Sequence, residues 1–418
     1  MRRHLPLFLV LLAAYAAMLG IGDTTGPEAH ALLTAESLVS DQDLDLRDEY
    51  RGREWEAFSE RPLRPSAPPQ PDGRLHEPQG IGLPLLAAPA YALGGETGAR
   101  LLFAALAALA FCLAAALGRR LVPEPWPTRA ALVVGLSPPA LGAATAIAPE
   151  VPGAVLAGGS LLFALRVRES PQTRPTAGCA ALAAALPWLA AKLIVPAAVL
   201  AAALYRWLRR RRRGLAGFVA LELVLLSAVV YVTVNGRLFG GLTPNEASLG
   251  AAPVTGASDT TEYLERWPRL AGLWIDQDIG LLRWAPVLGL AFVAAWLLWR
   301  SRRARLAAVV ADQVDVEVTA TACLLLSAAL LASAVFLAPD DLGPWFPGEE
   351  LVVALPPLTA LSAWGWRFVP RAGAVLAAVT LAASGWLVVA GHTAGDARLR
   401  PPAGPLPWGG AQDVLPSV

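Results

Sequence analysis

The stretch AGCAALAAALPWLAAKLIVPAAVLAAALYRWLRRRRR, residues 177–213, decides the fold. Two apolar runs, about 177–191 and 193–208, flank Lys192, the only lysine of the chain, and end on five consecutive arginines at 209–213. An apolar run that stops at a block of arginines reads as a membrane segment meeting the cytoplasmic headgroups, because positive residues are retained on that side. The two runs are therefore expected to form a hairpin, with Lys192 at its outer tip.

Working outward from this hairpin, the same pattern recurs. Apolar runs at about 5–21, 98–117, 130–148, 151–165, 215–234, 286–299, 318–337, 351–366 and 374–390 bring the expected number of spans to about eleven. With alternating direction, Arg2 and Arg3, Arg119 and Arg120, Arg166 and Arg168, Arg300 to Arg305, and Arg367 and Arg371 all fall on the side of the five-arginine block. The fold class is thus all-α and polytopic, with the N-terminus cytoplasmic. Residues 1–21 read as an uncleaved signal anchor rather than a secretory leader, given the spans that follow.

Composition agrees. At 418 residues, 55% hydrophobic and 16% charged, the chain is too apolar for a soluble enzyme of this length. The net charge of +1 conceals a segregation of basic and acidic loops, a topological pattern and not a nucleic-acid footprint. Cys112, Cys179 and Cys323 lie inside apolar runs, which argues for packing and against disulfides or thiolate metal sites. The Ala- and Arg-rich composition suggests a GC-rich bacterial genome, and hence a multi-pass protein of the bacterial plasma membrane.

Residues 1–391 are expected to form one transmembrane domain carrying two larger exoplasmic loops, 23–80 and 235–284, with a Pro/Gly-rich exoplasmic tail at 392–418. The first loop is acidic at 41–50 and then Pro-rich, which predicts irregular backbone. Residues 81–93 are too few to span a bilayer and predict a re-entrant or interfacial helix.

The outer face gathers the chemistry. GDTTGPEAHALLTAES at 22–37 supplies Asp23, Glu28, His30 and Glu36. The period of Glu28, Leu32, Leu33 and Glu36 predicts a short helix along the membrane surface, its polar side toward an aqueous cavity. The plain alternative is the solvated side of an outer loop. Glu150 stands between apolar runs, where a carboxylate costs on the order of 3 kcal/mol. Asp276, Gln277 and Asp278 lie with Arg283 between Trp274 and Trp284, either a site or an interfacial aromatic belt. Glu28, Glu150 and Asp276 are expected to line one cavity. No P-loop, HExxH helix or GxSxG elbow occurs. The histidines are too scattered for zinc, leaving Asp23, Glu28 and His30 as candidate ligands of a hard divalent cation such as Mg or Mn.

Several of these segments, in order, resemble those of the GT-C superfamily of membrane glycosyltransferases. GPEAHALLTAESL with the later DLDL is similar to the acidic run after that family's first span. HEPQGIGLPLLAAPAYALGG resembles its His-Gly-Pro-Gly-Leu-Pro segment, and APEVP its Tyr-Pro-Glu turn. LPWLAAK, WIDQDIGLLRWAP and WFPGEELVVALPPL follow in the same order. The chain departs from the pattern at Pro27, where the family has aspartate, at Ala31 and Ala148, where it has tyrosine, and at Lys192, near a usual arginine or histidine.

The resemblance implies transfer of a sugar from a polyprenyl-phosphate donor in the bilayer to an exoplasmic glycan, lipid or protein acceptor. Such a reaction needs a carboxylate to take the acceptor's proton and a cation to stabilise the departing phosphate. Glu28 is the expected base with Asp23 as runner-up, and Lys192 or Arg283 the phosphate partner. His30 and Glu150, with Asp276, Gln277 and Asp278, are expected to bind substrate. The rival is a non-catalytic GT-C-derived protein that binds or transports a lipid-linked sugar, favoured by Pro27; a solute channel ranks third.

Overall fold

The computed structural model describes residues 4–20, 24–59, 62–210, 214–247, 260–276, 280–304, 311–338 and 348–393. Among them the regular structure is helical throughout. After α1 (Leu5–Ala16), α2 (Gly26–Ser40) and α3 (Arg47–Gly52) lead to the long α4 (Gly82–Gly118). Then come α5 (Trp126–Gly135), α6 (Pro138–Ala144), α7 (Glu150–Glu169), α8 (Thr173–Leu189), α9 (Ile194–Arg210) and α10 (Gly214–Leu238). Short helices α11 (Thr260–Glu265), α12 (Arg269–Ile275) and α13 (Leu281–Trp284) precede α14 (Leu290–Ala304), α15 (Ala311–Ala332), α16 (Leu355–Phe368) and α17 (Pro370–Thr393).

Each apolar run of the sequence is helical, and six helices among the described residues are long and apolar enough to cross a membrane. The apolar helices Leu5–Ala16 and Pro286–Ser301 are shorter. Prolines account for part of the difference from eleven long spans. Pro138 and Pro139 open α6 and so divide the run at 130–148, while Pro356 and Pro357 open α16 after a 3₁₀ turn, Glu349–Ala354.

Ion pairs and rings mark the two ends of the bundle. At one end, Arg119 bonds His4, Arg120 pairs with Glu169, Arg168 pairs with Asp315 at 2.6 Å, and Trp126 meets Trp366. The helices that leave this basic end bring Arg100, Glu150, Lys192 and Glu350 to the other. The opposite, acidic end carries a cap built on α2.

The cap departs from expectation. Residues 62–81 are irregular, as the prolines predict, but α2 is not a surface helix with a wet polar side. Glu28, His30 and Thr34 are as buried as Leu32 and Leu33. The reason is a second core, in which α2 packs with Leu46, Trp55, Phe58, Leu75 and Ile147 against Leu83, Ala87, Ala99 and Phe103 of α4. The interfacial helix expected at 81–93 and the following span form one element broken at Gly94 and Gly95, where Gly95 has φ of 59°. The loop holding residues 76–82 folds down onto α8. A side chain at Gly82 would run into the carbonyl oxygen of Trp188, so only glycine allows that approach.

Below the cap, α4 is the axis of the main core. Its alanine face, with Ala104, Ala107, Ala108, Ala114 and Ala115 buried, admits α1, α5, α7 and α16 at close range.

Candidate functional site

Three helix ends meet at the acidic end of the bundle. Glu150 lies in the first turn of α7, Lys192 in the 3₁₀ turn Ala191–Leu193 between α8 and α9, and Glu350 in the 3₁₀ turn ahead of α16. Lys192 Nζ donates to Glu150 Oε1 at 2.9 Å and to both oxygens of Glu350, at 2.6 and 2.7 Å. The side chains are little exposed, 15% for Lys192, 6% for Glu150 and 7% for Glu350. The ammonium thus faces two carboxylates, one of them through both of its oxygens.

A second cation stands close by. The charge of Arg269, at the start of α12, reaches Glu350, while its Nη1 donates to the Ala338 carbonyl at 3.2 Å. Arg266 Nη1 bonds Phe336 O and Ala338 O at 2.9 and 3.3 Å, so both arginines grip the end of the α15 segment. Burial pushes the Glu350 carboxyl above its ordinary range, Lys192 and Arg269 act against that, and Glu150 adds to it. With Glu150 and Glu350 ionised and Lys192 protonated the cluster is anionic by one charge.

Glu28 is an anchor by geometry. Thr25, Pro27 and Glu28 open α2 with a capping box, in which Glu28 Oε2 accepts from Thr25 N at 2.9 Å and Thr25 Oγ1 at 3.0 Å. Its Oε1 accepts from the Ile147 amide at 2.8 Å and lies 3.5 Å from Arg100 Nη1. Arg100 also binds Thr145 O, Thr24 Oγ1 and Glu96. The carboxylate therefore pins α2 to α4 and to the segment that ends at Glu150. Pro27, a departure from the GT-C pattern, has a local role as a helix-opening residue.

His30 stands at the centre of a different network. Its Nδ1 is 2.9 Å from Tyr50 Oη and its Nε2 is 3.0 Å from Ser66 Oγ. Tyr50 donates to Glu77 Oε1 at 2.6 Å, and Ser66 N donates to the same carboxylate. Burial lowers the His30 pKa from 6.5, with Glu77 acting against it. Burial and Glu77 push the Tyr50 phenol up. This network ties the Pro-rich segment to α2. Nearby, burial and the neighbouring Glu54 raise Glu36 to about 7, and burial raises Glu49 to about 7.

Of the other expected site residues, Asp276 is buried at the end of α12, its carbonyl accepting from Gly280 N at 3.1 Å. Arg283 is buried over the ring of Trp284. Asp23, Gln277 and Asp278 lie outside the described residues. Glu28 and Glu150 are joined through the short segment between Ile147 and Glu150. No group of three His, Cys, Asp or Glu side chains converges to hold a metal ion among the described residues. Glu28 and His30 have their oxygens and ring nitrogens committed to protein partners, so neither fits a divalent-cation site in this arrangement.

Arg269 and Arg100 were not among the expected site residues, and Glu350 was expected only as part of an acid-bearing outward segment, residues 345–350. The signal for Glu350 was present in WFPGEELVVALPPL, where an acid precedes an apolar run as Glu150 does. Arg269 carried none.

The sequence matches no family model, and no curated protein matches it. Comparison of structures does find matches. A crystal structure of ArnT from Cupriavidus metallidurans in the apo state aligns with a TM-score of 0.53 over 93% of this chain, at 15% identity. The fold is that of ArnT. A second structure of ArnT, bound to undecaprenyl phosphate, aligns with a TM-score of 0.51 over 92% of this chain, at 16% identity. The chain spans 69% and 63% of the lengths of these two ArnT chains. The expected polytopic, helical architecture is thereby supported at the level of fold.

Proposed function

We propose that this protein is a membrane glycosyltransferase that takes a sugar from a polyprenyl-phosphate donor and passes it to a glycan, lipid or protein acceptor. The observation that carries the proposal is a buried ammonium, Lys192, where three helix ends meet, in a fold shared with an ArnT structure that holds undecaprenyl phosphate. A lipid phosphate needs a cation near the membrane surface, and an ammonium held in a site of low dielectric stabilises the growing charge of a leaving phosphate strongly. Lys192 is assigned to that role, with Arg283 as the alternative. The acidic end is taken as exoplasmic and the basic end as cytoplasmic, in a bacterial plasma membrane.

The committed oxygens of Glu28 move the proposed base from Glu28 to Asp23, which directly precedes Thr24 in the sequence. Glu28 and His30 are assigned to holding the cap, Glu150 to orienting Lys192, and Asp276, Gln277 and Asp278 to the acceptor side. One specific observation favours the non-catalytic rival: the Lys192 ammonium is already held by two carboxylates.

The deciding experiment compares binding of undecaprenyl phosphate and transfer from polyprenyl-phosphate sugars in purified wild type, Asp23→Asn, and the double variant Lys192→Gln with Glu350→Gln. The double change leaves one carboxylate, Glu150, without its cation in place of two, and so limits the cost of breaking the buried cluster. Loss of binding in the double variant, with loss of transfer alone in Asp23→Asn, is expected. Binding without transfer in wild type would favour the rival, and equal binding by wild type and the double variant would end the assignment of Lys192.

A further inference from the structure

We propose that Glu350 is a resident anion on Lys192, which a lipid phosphate must displace on entry and which returns to the ammonium as the phosphate leaves. The proposal rests on the assignment of Lys192 to the donor phosphate. Its basis is geometric: Nζ lies within hydrogen-bond distance of Glu150 Oε1 and of both oxygens of Glu350, so a phosphate must compete with two carboxylates for the ammonium.

Glu350 is the carboxylate placed to move. Glu150 sits in the first turn of a regular twenty-residue helix. Glu350 sits in a 3₁₀ turn, a conformation with poorer hydrogen bonding, directly after Gly348 at φ of 78°. The charge of Arg269 also acts on Glu350, so a carboxylate displaced from Lys192 still has an attractive cation.

The bidentate contact explains why such an anion is useful. Two oxygens of one carboxylate at 2.6 and 2.7 Å imitate two oxygens of a phosphate, so the ammonium keeps its position and charge in the empty site. In transfer from a phosphodiester donor the sugar–oxygen bond breaks and the electron pair stays on the phosphate, which changes from one negative charge to two. A product held by an uncontested lysine would leave slowly; a competing carboxylate shortens its stay. Glu350 thus weakens binding to every lipid phosphate, and most usefully to the product.

The test uses the full chain in nanodiscs, with undecaprenyl phosphate as probe, undecaprenol as the neutral lipid control and inorganic phosphate as the lipid-free control. Glu350→Gln should bind undecaprenyl phosphate about tenfold more tightly than wild type and release it more slowly, with undecaprenol unaffected. Arg269→Gln should bind it more weakly, because the displaced carboxylate loses its second cation. Glu350→Asp, which keeps the charge but shortens its reach, provides a variant with milder structural consequences and should fall between wild type and Glu350→Gln. Tighter inorganic phosphate binding without tighter lipid phosphate binding would place the effect outside the donor site and overturn the inference. So would unchanged or weaker undecaprenyl phosphate binding in both Glu350 variants, the outcome of a merely structural ion pair. Failure of wild type to bind undecaprenyl phosphate at all, with no gain in either variant, would instead remove the assignment of Lys192 on which the inference stands.

Discussion

Glu28→Gln separates a structural carboxylate from a catalytic one. In the wild type, Oε2 accepts from the Thr25 amide and hydroxyl while Oε1 accepts from the Ile147 amide. An amide side chain has only one acceptor end. If its oxygen stays on buried Ile147 N, its NH₂ group faces the Thr25 amide donor, and the first turn of α2 loses its cap. The lost cap is worth about 1 kcal/mol, and a buried donor without an acceptor about 1–3 kcal/mol, so roughly 2–3 kcal/mol of destabilisation is expected. It should be local to the cap. Thermal unfolding of the detergent-purified protein should fall, and trypsin should cut faster at Arg47, Arg51 and Arg53, on α3 and just after it, than in wild type. Thr25→Ala, which removes only the hydroxyl contact, should show a weaker form of the same pattern, about 1 kcal/mol. The reasoning is refuted if Glu28→Gln melts and is cleaved like wild type yet abolishes sugar transfer, since that combination identifies Glu28 as the base.

Protonation of His30 should loosen the cap. Its folded pKa is lowered below 6.5, so its contribution is complete above that value and is lost as pH falls through 6.5 toward the folded value. Hydrogen exchange in residues 41–80 should rise between pH 7.5 and 5.5 in wild type relative to His30→Gln, and equal profiles would rule this out. Glu36 works with the opposite sign: raised from 4.5 to about 7, it stabilises fully below 4.5 and loses that contribution as pH rises to about 7, so Glu36→Gln should flatten this component of a melting-temperature profile. Gly82→Ala should disturb the seating of the outer loop on Trp188, lowering the melting temperature, whereas Gly94→Ala, with open space around it, should cost much less. Cysteines introduced at Asp41 and Gly256 should react with an impermeant reagent in intact cells and one at Arg211 should not; labelling at Arg211 would reverse the orientation.

The bundle was legible in the sequence because its rule is one-dimensional. Apolar length and arginine placement determine where the chain turns, and Lys192 and Glu150 fall at one end for that reason alone. The partners of those residues were not legible. Lys192 is 158 residues from Glu350 and 42 from Glu150, and nothing in local spacing predicts which loops meet when helices of unequal length pack. The period of α2 was also correctly visible, but its environment was not. An amphipathic stretch with acids reads as a surface helix until Leu46, Leu75 and Ile147 are known to close over it. The capping signature, Thr25 followed three residues later by Glu28, was in the sequence and points to the structural use of that carboxylate.

The two carboxylate environments differ in what they permit. Glu28 is held by fixed donors, a helix-opening turn and a backbone amide among them, whose removal leaves buried polar groups without partners. Such a group stabilises an arrangement and resists change. Glu150 and Glu350 instead share the ammonium of Lys192, so either can hold it when the other is displaced. A site that must admit and release an anionic lipid needs the second kind of environment at the phosphate and the first kind in the scaffold around it. This chain has both at the same end of the bundle, connected through the short segment from Ile147 to Glu150.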